Sequence, residues 1–151
     1  MGQKIKMGIN NLGQCGVLFR SGQIEPEQYS KLHLLKINSI INLEQEYDDG
    51  SVVKRLGFNY IFLPLADKTR PPDDFAEKFL RTIGDAQIAP FLIHCKGGRH
   101  RTGAAVAIYR IAKCQWSFDQ AYEEMKQFGF YTWFGHKGFK DYVQDFAKMK
   151  V

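Results

Sequence analysis

The stretch His94-Cys95-Lys96-Gly97-Gly98-Arg99-His100-Arg101-Thr102-Gly103 constrains this chain more than any other, because it sets a cysteine and an arginine at the two ends of a glycine-rich loop. The apolar run before it, Pro90 to His94, reads as a buried strand, whereas the run after it, Gly103 to Lys113, combines helical propensity with small side chains. A loop in that place caps a helix N-terminus. Backbone N–H groups there lack intrahelical partners and the helix dipole adds partial positive charge, so a dianionic phosphate and a thiolate are both favoured.

The chemistry that needs this arrangement is displacement at phosphorus by sulfur. A free cysteine, with a pKa of about 8.5, is mostly thiol at neutral pH, and a helix N-terminus with cationic neighbours lowers that value to roughly 3.5–7.5. Cys95 is then expected to attack as a preformed thiolate. Arg101 offers a planar fork that holds two phosphoryl oxygens at once and follows them as charge redistributes. Lys96, Gly97, Gly98, Arg99 and His100 complete the expected phosphate-binding loop. Thr102 is expected to donate its hydroxyl to the sulfur, easing its departure when water breaks the intermediate, and His94 to orient the loop through hydrogen bonds.

These residues carry a family resemblance. His94, Cys95, Gly98, Arg101, Thr102 and Gly103 match the His-Cys-x-x-Gly-x-x-Arg-Ser/Thr-Gly signature, so the chain resembles the dual-specificity branch of the cysteine-dependent protein tyrosine phosphatase superfamily. Gly98-Arg99-His100-Arg101-Thr102-Gly103 is similar to the loop of plant and fungal atypical dual-specificity phosphatases, some of which act on inositol pyrophosphates, and of their bacterial relatives. The likeness extends from about Val17 to the C-terminus, with Leu18-Phe-Arg-Ser-Gly22 and Ile40-Ile-Asn-Leu43 as weaker features. It implies a phosphatase working through a cysteinyl-phosphate, on phosphotyrosine and other phosphoproteins or on inositol polyphosphates, without metal or cofactor.

Such a reaction needs an acid to protonate the leaving oxygen. In the family an aspartate fills that role, and Asp67, Asp73 and Asp74 follow the apolar run Tyr60 to Leu65. Asp67 lies nearest the strand, at an offset from Cys95 close to the family's, and is favoured. Asp74 has another explanation, since Asp74-Phe-Ala-Glu77 reads as a capping box.

The chain of 151 residues fits a single catalytic domain, residues 1–151, and 44% hydrophobic and 14% aromatic content exclude a disordered chain. It contains no 18-residue apolar run, and Met1-Gly-Gln-Lys-Ile-Lys-Met-Gly8 lacks the apolar core of a signal peptide, which makes the cytoplasm the expected location. Three cysteines give no even disulfide framework. Cys114 reads as a small buried hydrophobe and Cys15 as structural or exposed. A zinc site of His94, Cys95 and His100 lacks a fourth ligand, and adjacent strand residues point to opposite faces.

Alternating apolar runs and turn signals give an α/β fold: a central, mainly parallel sheet flanked by helices, with the phosphate loop between a strand and a helix. Strands are expected at Val17–Phe19, Asn38–Leu43, Phe58–Leu63 and Phe91–His94. Helices are expected at Pro26–Lys36, Asp48–Leu56, from Asp74, after the loop, from a capping box at Ser117 to Gly129, and at Lys137–Met149, where Phe139, Tyr142, Val143 and Phe146 share one face.

The formal charge is +5, and its placement matters more than its size. Lys96, Arg99 and His100 beside Arg101 predict a positive pocket mouth suited to a polyanion, as in the similar loop of phosphoinositide phosphatases. Arg20 and Lys68 are further candidates for substrate contact. The ring-rich segment Phe128 to His136 reads as core and pocket wall, with His136 bracing the last helix, rather than as a nucleic-acid platform. A phosphate-binding module without turnover is disfavoured because nucleophile, arginine and acid are all present. Sulfur transfer and arsenate reduction fit less well, for want of a shorter loop or placed resolving thiols.

Overall fold

Phe91, Leu92, Ile93 and His94 are all buried, as an apolar run must be when parallel strands flank it on both sides. The computed structural model describes residues 1–150. In it β1 (Gln3–Lys4), β2 (Gly13–Cys15), β3 (Leu18–Ser21), β4 (Ser39–Glu44), β5 (Asn59–Leu65) and β6 (Phe91–His94) form one sheet in the order β1-β2-β3-β6-β4-β5. The three pairings from β3 through β6 and β4 to β5 are parallel, and the two at the β1 edge are antiparallel. Pro64 is tolerated because β5 is an edge strand.

The two faces of the sheet follow the two-residue period of its strands. Leu92 of β6 and Ile40 of β4 pack with Ile24, Tyr29, Leu32 and Val53, on the side of α1 (Tyr29–Leu32) and α2 (Gly50–Arg55). Ile93, Ile41 and Leu43 pack on the opposite side, with Phe75 and Phe79 of α3 (Phe75–Ile83) and Ala105 and Ile108 of α4 (Arg101–Lys113). From Arg101 to Ile111 every residue of α4 is buried. Ala104, Ala107 and Ile111 meet Ala121 and Met125 of α5 (Phe118–Gln127), and Phe139 and Val143 of α6 (Lys137–Met149). The small side chains let three helices approach closely where larger ones would hold them apart. A buried pair, Arg110 with Glu124 at 2.8 Å, ties α4 to α5, and the Gly2 N–H donates to the same carboxylate at 2.7 Å.

Several expectations need correction. Pro26–Lys36 is not one helix: a 3-10 turn at Pro26–Gln28, α1, and a second 3-10 turn at His33–Leu35 follow one another, ending at Lys36 with φ +59°. β3 begins at Leu18 and runs on through the buried polar residues Arg20 and Ser21, while Val17 is exposed. Asp74 does not cap α3 through its side chain: its backbone is helical (φ −86°, ψ −1°) rather than extended, and the carboxylate pairs with Lys78 at 3.0 Å. Ser117, with φ −71° and ψ 165°, does form its capping box, and Gly129, at φ +97°, lies just past the end of α5. No helix is long and apolar enough to cross a membrane among the described residues.

One glycine fixes how the loop after β6 seats on β3. Gly98 has φ +71°, and a Cβ there would come within 2.6–2.8 Å of the backbone of Ser21 and Gly22, whereas a Cβ at Gly97 would meet nothing nearer than 3.8 Å. Gly98→Ala is therefore expected to cost at least about 1–3 kcal/mol, read as a lowered urea midpoint, and Gly97→Ala less than about 0.5 kcal/mol. Equal shifts for the two variants would contradict this seating.

Candidate active site

Cys95 follows β6 directly, is 2% exposed, and packs with Ile93 on the α4 side of the sheet. The loop that carries it is held from behind by its carbonyls. The Asn11 amide donates to the carbonyls of Gly97, Gly98 and Phe128 at 3.3, 3.2 and 2.8 Å, and the Gln23 N–H donates to Lys96 at 2.8 Å. Arg20, placed among candidate substrate contacts, is instead fully buried; it donates to the Gly98 carbonyl at 3.0 Å and lies over the Phe128 ring at 4.1 Å. No acceptor within the described residues takes up the N–H groups of Lys96 through His100. With its carbonyls engaged and its amides free at the head of α4, the loop is a concave anion cradle.

Arg101, the first residue of α4, is buried, and its fork is aimed by a partner that sequence reasoning did not find. Both terminal nitrogens donate to the Glu46 carboxylate at 2.9 and 2.8 Å, and one also reaches the Leu65 carbonyl at 3.1 Å. Burial works against the guanidinium charge, but Glu46, Cys95 and Asp67 together raise its pKa above the ordinary arginine value. Glu46 in turn is held below the usual carboxylate range, chiefly by its hydrogen bonds from Arg101.

Asp67 sits just after β5 and shares a pocket of about 470 Å³ with Cys95, Arg101, Lys68, Tyr131 and His136. Its Oδ1 accepts from the Lys68 N–H at 3.0 Å and lies 3.3 Å from His136 Nε2. Neither Asp73 nor Asp74 lines this pocket; Asp73 faces a separate groove beside α6. His100 stacks face to face on His136 with ring centroids 3.5 Å apart, and Tyr131 meets both rings edge-on. Burial, then the neighbouring His136, pushes His100 down to about 4. It therefore adds no positive charge at neutral pH, which corrects the expectation of a cationic His100 at the mouth. Lys96 and Arg99 are exposed and form no ion pair among the described residues. Phe128 and Phe130 are core, as expected of rings, but Trp133 and Phe134 are exposed. The Thr102 hydroxyl is buried without a hydrogen-bond partner among the described residues.

Behind the loop, the His94 ring makes no hydrogen bond to it among the described residues. Its nitrogens lie 3.2 Å from Asp49 and 3.5 Å from Glu44, and all three side chains are buried. Burial alone would lower the imidazole's affinity for a proton, yet the two carboxylates outweigh it and raise the pKa to about 9. Asp49 also accepts from Tyr29 and, at 3.2 Å, from Asn42; burial opposes its charge, but His94 and Tyr29 bring it below the usual carboxylate range.

Cys15 is fully buried and its thiol is pushed up to about 11, mainly by burial; Cys114, half-buried, accepts from Arg110 at 3.7 Å. Glu44, Glu46 and Asp49 were absent from the expected site, although one signal pointed to them. They lie at or beyond the carboxyl end of β4, beside β6, where open parallel sheets gather their ligands.

The raised His94 fixes the sign of a pH effect. A group that binds its proton more tightly when folded stabilises the fold fully below its unfolded pKa of about 6.5. That contribution is lost as pH rises through the folded value of about 9. Unfolding free energy from urea melts is expected to fall over this window, and His94→Gln to flatten the slope; an unchanged slope in the variant would contradict a buried imidazolium.

Comparison with known proteins agrees with this geometry. A family model described as the tyrosine phosphatase family matches residues 13–148. The inositol diphosphatase DSP4 of Arabidopsis thaliana is 31% identical over 121 residues, covering 74% of this chain and 59% of its own. The dual specificity protein phosphatase TpbA of Pseudomonas aeruginosa is 29% identical over 129 residues, covering 85% of this chain and 58% of its own. A crystal structure of TpbA superposes with a TM-score of 0.82 at 25% identity, over 99% of this chain and 95% of that one. The core catalytic domain of the PP-IP phosphatase Siw14 from Saccharomyces cerevisiae does so at 0.78 and 25% identity, over 96% and 88%. This chain spans about three-fifths of the length of the Arabidopsis relatives. By its signature loop, its sheet and these similarities, the chain belongs to the tyrosine phosphatase family.

Proposed function

We propose that this chain hydrolyses phosphate monoesters through a cysteinyl-phosphate intermediate, with residues 1–151 acting as one catalytic unit. The observation that carries the reading is the convergence of Cys95, Arg101 and Asp67 on one pocket from three separate elements. The Cys95 sulfur attacks phosphorus while the amides of Lys96 through His100 and the edge of Arg101 that Glu46 and Leu65 leave free, Nε and the second Nη2 hydrogen, hold the equatorial oxygens. As the ester bond breaks, its electron pair goes to the leaving oxygen, which takes a proton from Asp67. Water then attacks phosphorus and returns a proton to Asp67, and the S–P electron pair goes back to sulfur. The Thr102 hydroxyl, buried and without a partner, is suited to receive that charge.

For the substrate, we propose a phosphorylated protein or an inositol polyphosphate. The unpaired, exposed Lys96 and Arg99, with Lys68 on the pocket wall, favour a ligand carrying charge beyond the reacting phosphate. A panel of phosphopeptides, inositol pyrophosphates and aryl phosphates tests the reading. Cys95→Ser is expected to abolish turnover on all of them. Asp67→Ala is expected to cost about 10²–10⁴-fold on poor leaving groups and little on para-nitrophenyl phosphate. Turnover by Cys95→Ser near wild type would reject the covalent route; a leaving-group dependence on Asp73 or Asp74 instead would reject the acid.

A further inference from the structure

His136 enters the pocket from the start of α6, and its two nitrogens face different kinds of atom. Nδ1 lies 3.0 Å from the Trp133 carbonyl, and Nε2 lies 3.3 Å from Asp67 Oδ1. A carbonyl only accepts, so Nδ1 carries a hydrogen. In the neutral ring Nε2 then has a lone pair and no hydrogen. A hydrogen bond to Asp67 therefore requires one proton between the two groups, either on the carboxyl or on Nε2. It cannot form when that proton is gone, because a lone pair would then face a carboxylate.

We infer that His136 is a positioning residue for the acid step, holding with Asp67 the single proton that the leaving oxygen receives. The inference rests on Asp67 being the acid. An ordinary aspartic acid, with a pKa near 3.9, has surrendered its proton well before neutral pH, which is a poor starting point for protonating an alkoxide. A carboxyl and an imidazole that share a proton release it at values belonging to the pair. In the first step the pair's proton leaves through Asp67 to the ester oxygen as the P–O bond breaks, and a carboxylate and a neutral imidazole remain. In the second step the attacking water returns a proton to the pair as the P–S bond breaks, so the proton count closes over one turnover.

The surroundings enclose the His136 side of this pair, while the Asp67 carboxyl opens toward the pocket and solvent. His100 covers one face of His136 at 3.5 Å, is neutral at working pH, and is hemmed by Arg99 and Arg101. Lys68 flanks Asp67 and packs against Gly135, and Tyr131 closes the edge of both rings. The stack thus presents neutral rings and cations to His136, and its one carboxylate partner among the described ion pairs is Asp67. His136 is only 4% exposed, so water reaches the pair from the Asp67 side, where the leaving oxygen would also sit, and not from the imidazole side.

The test compares His136→Gln, Asp67→Ala and the double variant on phenyl phosphate, a poor leaving group, and para-nitrophenyl phosphate, a good one, across pH. His136→Gln is expected to lower kcat/KM for phenyl phosphate about 10-fold or more, by less than about twofold for para-nitrophenyl phosphate, and to move the alkaline limb of the phenyl phosphate profile about one unit lower. Added to Asp67→Ala it should have no further effect. Equal losses on both substrates, or losses that add to those of Asp67→Ala, would overturn the inference. If Asp67→Ala itself shows no leaving-group dependence, the acid assignment fails first, which separates the two ideas. Long-range proton–nitrogen spectra of histidine-labelled wild-type enzyme read the same claim without a variant at His136. Nδ1 should be protonated throughout, and the Nε2 titration should change in Asp67→Asn; an Nε2–H neutral tautomer, or a titration indifferent to Asp67, would overturn it.

Discussion

The site depends on the direction in which one short loop turns its peptide groups. Asn11, Gln23 and Arg20 take up the carbonyls of Lys96, Gly97 and Gly98 from behind. With those acceptors engaged, the amides are left to gather on the other side, where Cys95 ends β6 and α4 begins. The arrangement is built across distant parts of the chain. The N-terminal hairpin supplies Asn11, β3 supplies Arg20, and Gly98 allows the loop to press against Ser21 and Gly22 without a side chain between them. A concave set of amides at a helix N-terminus, next to a sulfur and a fixed guanidinium, follows from that seating.

Charge is layered around this loop. Arg101 reaches into the pocket and is aimed by Glu46 through two parallel hydrogen bonds, a geometry lysine could not reproduce. Behind the loop lie Arg20, fully buried against an aromatic ring, and His94, kept cationic between Glu44 and Asp49. Removing one member of such a buried set leaves its partner charged and unpaired, which costs more than the pair itself contributes. These groups therefore fix the shape of the site even where they never touch substrate.

Much of this was legible in the sequence where a pattern is local. β6 and α6 stand at the expected bounds, because one is a bounded apolar run and the other a clean helical stripe of Phe139, Tyr142 and Val143. The capping box at Ser117 formed because its extended backbone lets the side chain reach back; the analogous Asp74…Glu77 pattern did not, since a preceding turn holds Asp74 helical. β1 and β2 were not anticipated, being two and three residues long, too short to show alternation. Within the proposed site, Cys95, Arg101 and Asp67 were singled out by their chemistry and by the resemblance of the loop, and the structure places all three around one pocket. Glu46, Asn11 and the contact of His136 with Asp67 were not, since each is made by segments far apart in the chain, and Arg20 read as a candidate substrate contact because a lone arginine past the expected end of the strand does not announce that β3 runs on, buried, through it.

In the proposed reaction every step passes through one covalent species, phosphate on the sulfur of Cys95. The most direct measurement is a rapid acid quench of the enzyme with a ³²P-labelled aryl phosphate, followed by peptide mapping of the bound label. The account predicts a transient phosphoryl group on the peptide that contains Cys95, formed at least as fast as turnover. Turnover with no labelled intermediate, or with the label on another residue, would contradict it.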